Sequence, residues 1–134
     1  MVVISQKITI VRIRRPVKNI NDELQWFGNS IGLFNMRDKD KSMFRIFIEL
    51  LKSTKARHYL TSDEIAERLE LSRGTVIHHV NKLMSAGIVV NERNRYLLRV
   101  DNLEALVDEI KTDIARTMDD LKKVAEEIDK TLGL

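Results

Sequence analysis

Two helix starts that lie eleven residues apart constrain the fold of this chain more than any other feature. Thr61 and Glu64 have the spacing of a capping box, in which each side chain accepts a hydrogen bond from the other residue's backbone N–H. Ser72 is a second N-cap candidate. Only a short helix and the turn 70–72 fit between the two caps. The sequence therefore predicts a helix-turn-helix.

A β-hairpin is predicted directly after the second of these helices. Gly87 stands where a left-handed C-cap is needed. The apolar stretches 88–90 and 96–98 are predicted strands, and residues 93–94 lie at the turn between them. A strongly apolar helix over 43–52 precedes these elements. This order of elements predicts a winged helix-turn-helix, which is a mainly α fold with a small β-hairpin wing.

The C-terminal segment predicts one long helix with a regular apolar stripe. Asp101 or Asn102 can cap it. Apolar residues at alternating steps of four and three indicate a coiled-coil seam. The seam consists of Leu103, Val107, Ile110, Ile114, Thr117, Leu121, Val124 and Ile128. About 30 helical residues span roughly 45 Å, so we expect this helix to pair with a second copy of the chain. The alternative is that it packs on the chain's own N-terminal helix.

The N-terminal part is less sharply patterned. Residues 7–14 are rich in β-branched residues and roughly alternate, which predicts a strand that Pro16 ends. A short helix follows, and the polar run 36–41 is a predicted linker. We therefore expect three parts: 1–40 with a strand and a short helix, 41–100 with the winged helix-turn-helix, and 101–134 with a dimerisation helix.

The charge of the chain is divided unevenly. Residues 1–100 carry 18 basic and 10 acidic side chains, whereas residues 101–134 carry 5 basic and 10 acidic ones. A basic body is typical of proteins that face nucleic acid or another anionic surface. The acidic segment is expected to be a solvated helix with one buried seam.

Several classes of protein are not expected. The chain has no cysteine, so it has no disulfide framework, thiolate metal site or cysteine nucleophile, which fits a reducing compartment. There is no apolar run near the roughly 20 residues that span a bilayer, and no signal-peptide pattern, so we expect a cytoplasmic protein without a membrane partner. No spacing of residues indicates a catalytic, cofactor or metal site.

The second helix of the pair is the candidate for contact with DNA. Val76, Val80 and Leu83 form its inner face. Phosphates favour the N-terminus of a helix, and a glycine there allows close approach of the backbone. The candidate DNA-binding residues on this helix are Ser72, Arg73, Gly74, Thr75, His78, His79 and Lys82, and those on the hairpin are Arg93, Asn94 and Arg95.

The run from Leu71 to Val89 resembles the signature of ArsR-like winged-helix regulators. Its elements are a serine cap, a Thr-Val pair, a His-His pair, and Ala-Gly leading into the wing, with Val80 and Ile88 in place of the usual leucines. The similarity covers residues 42–100. Residues 36–48 and the acidic helix also resemble archaeal regulators of this type.

The resemblance implies base and phosphate contacts at Arg73, Thr75, His78 and His79. Many family members sense metals through cysteines, which this chain lacks, so metal sensing is not expected and the effector is open.

These patterns predict a homodimeric, sequence-specific regulator that binds double-stranded DNA. The recognition helix 72–85 would enter the major groove, the wing 88–100 would contact the backbone or minor groove, and the operator would be an inverted repeat. The alternative is a winged-helix adaptor that binds proteins. An RNA-binding domain is disfavoured because no stacking aromatics lie on the predicted basic face.

Some residues allow an ordinary structural interpretation. His58 lies in a basic loop and is predicted to be solvated. Arg12, Arg14 and Arg15 are predicted to protect a strand edge rather than to form a second DNA contact. Trp26 and Phe27 are predicted core or dimer contacts. Each of these interpretations depends on contacts with residues that are distant in the sequence.

Overall fold

The computed structural model describes residues 5–15, 19–33 and 41–134 of the 134-residue chain. These residues form five α-helices and one two-stranded sheet. In chain order the elements are α1 (Ile20–Ser30), α2 (Ser42–Lys55), α3 (Ser62–Leu69), α4 (Arg73–Ser85), β1 (Val89–Glu92), β2 (Arg95–Leu98) and α5 (Leu103–Leu132). The chain divides into two compact units, Met1–Asp101 and Asn102–Leu134. The three-part division at residues 40 and 100 stays a prediction.

The core of the first unit lies where α2, α3 and α4 meet the hairpin. Each helix contributes apolar residues spaced three or four apart, which places them on one face. The fully buried side chains of this core are Ile46, Phe47, Leu50, Leu60, Ile65, Val76, Val80, Leu83, Ile88 and Leu98. Burial of a large apolar side chain stabilises the fold by about 1.5–3 kcal/mol. The predicted apolar helix over 43–52 is confirmed as the central part of α2.

The turn between α3 and α4 forms as the caps predict. The Glu64 carboxylate accepts a hydrogen bond from the Thr61 N–H, and the Thr61 hydroxyl accepts one from the Glu64 N–H, each at 3.2 Å. Glu70 ends α3 in the left-handed region, with φ of 55°. The Ser72 hydroxyl then caps α4. Two helix starts and one left-handed residue thus fix the helix-turn-helix locally.

The wing is a hairpin with a tight turn. Gly87 has φ of +78°, which confirms the predicted left-handed position. Arg93 and Asn94 have φ of 51° and 67°, and two successive positive φ values are characteristic of the type I′ turn that suits a two-residue hairpin. The Asn94 N–H also donates to the Asn91 Oδ1 at 3.0 Å. Leu60 forms an isolated antiparallel bridge with Tyr96 of β2.

Residues 7–14 are not a strand, contrary to the prediction for the N-terminal part. Their backbone serves helix ends instead of a sheet. The Lys7 N–H donates to the Ser85 carbonyl at the end of α4, and the Val11 N–H donates to the Ser30 carbonyl at the end of α1. Helix C-termini leave carbonyl groups without helical partners, so an extended segment can satisfy them. Pro16 and residues 36–40 of the predicted linker lie outside the described residues.

The aromatic residues of α1 make structural contacts. The Phe27 ring stacks on the Phe47 ring of α2, with centroids 6.4 Å apart. The Trp26 Nε1–H donates to the Ile13 carbonyl at 3.2 Å. Helix α1 begins after Asn19, whose Oδ1 accepts a hydrogen bond from the Asp22 N–H at 3.0 Å. Phe27 is half-buried and contacts the fully buried Phe47, which agrees with the predicted core contact.

The second unit is the single helix α5 with its caps. The Asn102 Oδ1 accepts a hydrogen bond from the Ala105 N–H at 2.8 Å, and Gly133 ends the helix with φ of 72°. Among the seam residues, Ile110 is buried, and Leu103 and Ile114 are half-buried. The exposed ones are Val107, Thr117, Leu121, Val124 and Ile128. The C-terminal part of the predicted seam therefore faces solvent in the single chain.

Candidate nucleic-acid interface

Helix α4 has one buried face and one exposed face. Val76, Val80 and Leu83 are buried, as the sequence predicts. A helix turns about 100° per residue, which places Gly74 and His78 on the opposite side of the axis from these three. The exposed residues of this outer face are Gly74, His78, Asn81, Lys82 and Ser85. The structure thus supplies one continuous face that is free to meet a groove.

The start of α4 carries the groups that an anion needs. The Ser72 hydroxyl accepts a hydrogen bond from the Thr75 N–H at 3.1 Å and donates to the Thr75 hydroxyl at 2.8 Å. The Thr75 hydroxyl can therefore direct its own proton outward. A Cβ built on Gly74 meets nothing within 4 Å, so the backbone there is open to a ligand. The first turn of α4 contains no acidic residue, and its N–H groups favour negative charge.

Arg73 bridges the starts of two helices. Its Nε lies 3.4 Å from the Asp63 Oδ1 in the first turn of α3, and both side chains are largely exposed, at 72% and 76%. An ion pair so exposed contributes little to stability. The Arg73 side chain therefore has a defined neighbour, but the stability of the fold depends little on it.

The two histidines of α4 are in different environments. His78 is exposed, whereas His79 is half-buried, and their ring centroids lie 5.4 Å apart. Only His78 lies at the centre of the outer face. Within the described residues, no group of three or more His, Asp or Glu side chains could hold a metal ion.

Asn81 belongs to the outer face, although the sequence reasoning did not select it. It is exposed and follows His78 by three residues, one helical turn along the same side. A carboxamide on a recognition helix can make a bidentate contact with adenine. The helical period alone, counted from the buried Val76 and Val80, could have identified it.

The wing places the predicted Arg93, Asn94 and Arg95 at its exposed tip. Arg93 and Arg95 line an open cleft of about 700 Å³ together with Tyr59 and Glu92. Both arginines thus border the same open space.

A carboxylate connects the wing to the start of α3. The Thr61 backbone N–H and hydroxyl, the strongest influences, lower the pKa of the Glu64 carboxyl, and the charges of Arg95 and His58 lower it further. Both Arg95 and His58 are therefore close enough to Glu64 to affect its carboxylate.

No helix in the described part of the chain combines the length and the apolar character needed to cross a membrane. Comparison with curated proteins and with solved structures gave no match. Residues 39–90 match the family described as winged helix-turn-helix DNA-binding. The matched stretch contains α2, α3, α4 and the start of the hairpin. This part of the chain is a winged helix-turn-helix domain, similar to those that bind DNA.

Proposed function

We propose that this chain is a sequence-specific transcription regulator that binds double-stranded DNA as a homodimer. The observation that carries the proposal is the exposed outer face of α4, within a fold similar to winged helix-turn-helix DNA-binding domains. The ArsR-like subtype, the archaeal kinship and the cytoplasmic location stay predictions from the sequence.

In this proposal α4 enters the major groove. His78, Asn81 and Lys82 would approach base edges, because they share the outer face. Arg73, Thr75 and the open backbone at Gly74 would hold a phosphate at the start of the helix. The arginines of the wing would contact the backbone or the minor groove. Phosphate contacts fix the register of the protein, and the base contacts of α4 provide the specificity.

The proposed dimer rests on the exposed seam of α5. From Ala115 to Leu134 every residue of the second unit is exposed, including Leu121, Val124 and Ile128 at 58%, 53% and 49%. An apolar stripe of this regularity on an acidic helix is typical of coiled coils, which bury it against another helix. A second copy of the chain supplies an identical stripe, and dimers with twofold symmetry are the commonest oligomers.

A gel-shift titration tests the proposed recognition surface. We expect Arg73→Ala to bind promoter fragments more weakly than the wild type at moderate salt, because a phosphate contact is lost. Arg116→Ala is the matched control, since Arg116 is an exposed arginine of α5. Equally weak binding by wild type and Arg73→Ala would show that the assigned surface is wrong.

The adaptor interpretation remains the second candidate, because the exposed stripe of α5 can also pair with a helix of another protein. Binding to a specific duplex that survives excess competitor DNA favours the regulator. The absence of such binding, together with a co-purifying helical protein, favours the adaptor.

A further inference from the structure

The loop that precedes α3 lies against the wing. The Tyr96 N–H of β2 donates to the Leu60 carbonyl at 2.8 Å, and the antiparallel bridge places Tyr59 opposite Leu97. Side chains alternate along a strand, so Arg95 and Leu97 share a face. Tyr59 joins this face, which explains why it lines the cleft with Arg95, Arg93 and Glu92.

The cleft has an excess of positive charge. Within the described residues, neither Arg93 nor Arg95 forms an ion pair at 4 Å or less, although Glu92 lies across the hairpin from Arg95. The lining of the cleft therefore has two basic side chains and one acidic side chain. The Tyr59 hydroxyl makes no hydrogen bond in the described part of the chain, so it is available as a donor. This combination suits an anion held by a neutral donor and two cations.

Arg95 of the cleft and Arg73 of α4 each interact with a carboxylate in the first turn of α3. Arg95 acts on the Glu64 carboxylate, and the neighbouring Asp63 pairs with Arg73 at 3.4 Å. In the proposed function, the wing meets the backbone of the duplex that α4 reads, which brings phosphates to this cleft.

We propose that the cleft of Tyr59, Arg93 and Arg95 is a second phosphate-binding site, which holds a backbone phosphate of the duplex bound by α4. The Tyr59 hydroxyl donates to a phosphate oxygen, and the two guanidinium groups balance its charge. This inference rests on the proposed function and adds Tyr59 to the DNA-binding residues.

The test is the affinity of Tyr59→Phe for a fluorescent duplex of random sequence, measured by anisotropy over a range of KCl concentrations. The variant keeps the ring and loses only the hydroxyl. We expect affinity to fall about three- to tenfold, with the salt slope unchanged because the hydroxyl is neutral. Arg95→Gln should lower the salt slope by about 0.9, as expected for one lost phosphate contact. Lys122→Gln, on α5, is the control that should change neither.

A double-mutant cycle then asks whether Tyr59 and Arg95 hold the same phosphate. We expect the double variant to lose less affinity than the two single variants together, because both remove one shared contact. Unchanged thermal unfolding of Tyr59→Phe excludes a folding defect. The second site would be overturned if Tyr59→Phe binds with wild-type affinity, or if the losses of affinity of the two single variants are additive. Arg73→Ala tests the phosphate site at the start of α4 independently. Failure of the wild type to bind duplex DNA at all would instead overturn the proposed function.

Discussion

Arg73 forms an ion pair with Asp63, which a phosphate would displace if Arg73 contacts DNA as proposed. The pair spans 3.4 Å between the first turns of α3 and α4, and neither side chain is buried. An exposed pair of this kind is weak and screened by salt, so a phosphate can replace the carboxylate. In the proposed function, the carboxylate would therefore orient the arginine and also oppose nonspecific binding.

The substitution Asp63→Asn should strengthen nonspecific binding. It removes a negative charge beside Arg73, and we expect the affinity for a random duplex to rise about two- to fivefold at low salt. Glu67→Gln is the matched control, because Glu67 is an exposed carboxylate of α3. Anisotropy titrations measure the affinity of the two variants and of the wild type for this duplex. An equal gain in both would reveal a general charge effect and no special role for Asp63.

Gly74 gives a test in which stability and binding move in opposite directions. Its position is helical and a Cβ meets nothing within 4 Å, so Gly74→Ala should stabilise the protein by up to about 1 kcal/mol. We expect DNA affinity to fall several-fold, because the methyl group obstructs a phosphate at the helix start. Thermal unfolding and anisotropy measure the two effects. A more stable variant with unchanged affinity would show that no phosphate approaches this backbone closely.

At the scale of elements, the capping box of α3 should give the fold a measurable dependence on acid. Hydrogen bonds from Thr61 hold the pKa of Glu64 below its ordinary value near 4.5. The unfolded chain therefore binds this proton more readily, and the stabilisation is present above about pH 4.5 and lost as the pH falls through the folded value.

Thermal unfolding of Glu64→Gln across the acid range checks this sign. We expect the wild type to unfold at a higher temperature near neutral pH, and the difference from the variant to shrink steadily below about pH 4.5. Glu67→Gln, whose carboxyl has no capping role, should follow the wild type. A difference that stays constant with pH would contradict the assigned cause.

If α5 pairs with a second copy of the chain, as proposed, the pattern beside its seam favours parallel pairing. With Val107, Ile114, Leu121 and Ile128 at position a, the three g positions between them are acidic and the last three e positions are apolar. The g residues are Asp113, Asp120 and Glu127, and the later e residues are Met118, Ala125 and Leu132. An antiparallel pair would oppose g to g and so set like charges together, whereas a parallel pair opposes g to e.

A single cysteine can test this orientation, because the chain has none of its own. Thr131→Cys occupies position d near the C-terminus, and we expect it to form a disulfide-linked dimer on mild oxidation. Lys130→Cys, on the outer side, should remain monomeric on a non-reducing gel. A dimer in sedimentation that Thr131→Cys fails to crosslink would indicate an antiparallel or different interface.

At the scale of the whole molecule, the sequence predicted those elements whose helix caps and turn residues act within a few positions of one another. The structure confirms the two helix starts at Thr61 and Ser72. It also confirms the left-handed position of Gly87 and the turn 93–94 of the hairpin. The segment 7–14 has the composition of a strand, but a strand forms only beside a partner strand. Two of its N–H groups instead donate to carbonyl groups at the ends of α1 and α4.

The candidate site was predictable only in part for the same reason. The helical period could identify His78 and Lys82, because exposure follows from position on one helix. The ion pair of Arg73 with Asp63 and the approach of Tyr59 to Arg95 depend on contacts between separate elements. His58 was predicted to be merely solvated, and it is exposed, yet it lies near enough to Glu64 to lower the pKa of that carboxyl.

The measurement that tests the central claim most directly is the selection of bound duplexes from a random pool by the full-length protein. A homodimer that reads DNA with α4 predicts one enriched motif, an inverted repeat whose half-sites lie about 34 Å apart or a multiple of that distance. Enrichment should weaken in Arg73→Ala. Recovery of duplexes without any shared motif, at salt where the wild type still binds, would contradict sequence-specific recognition by this chain.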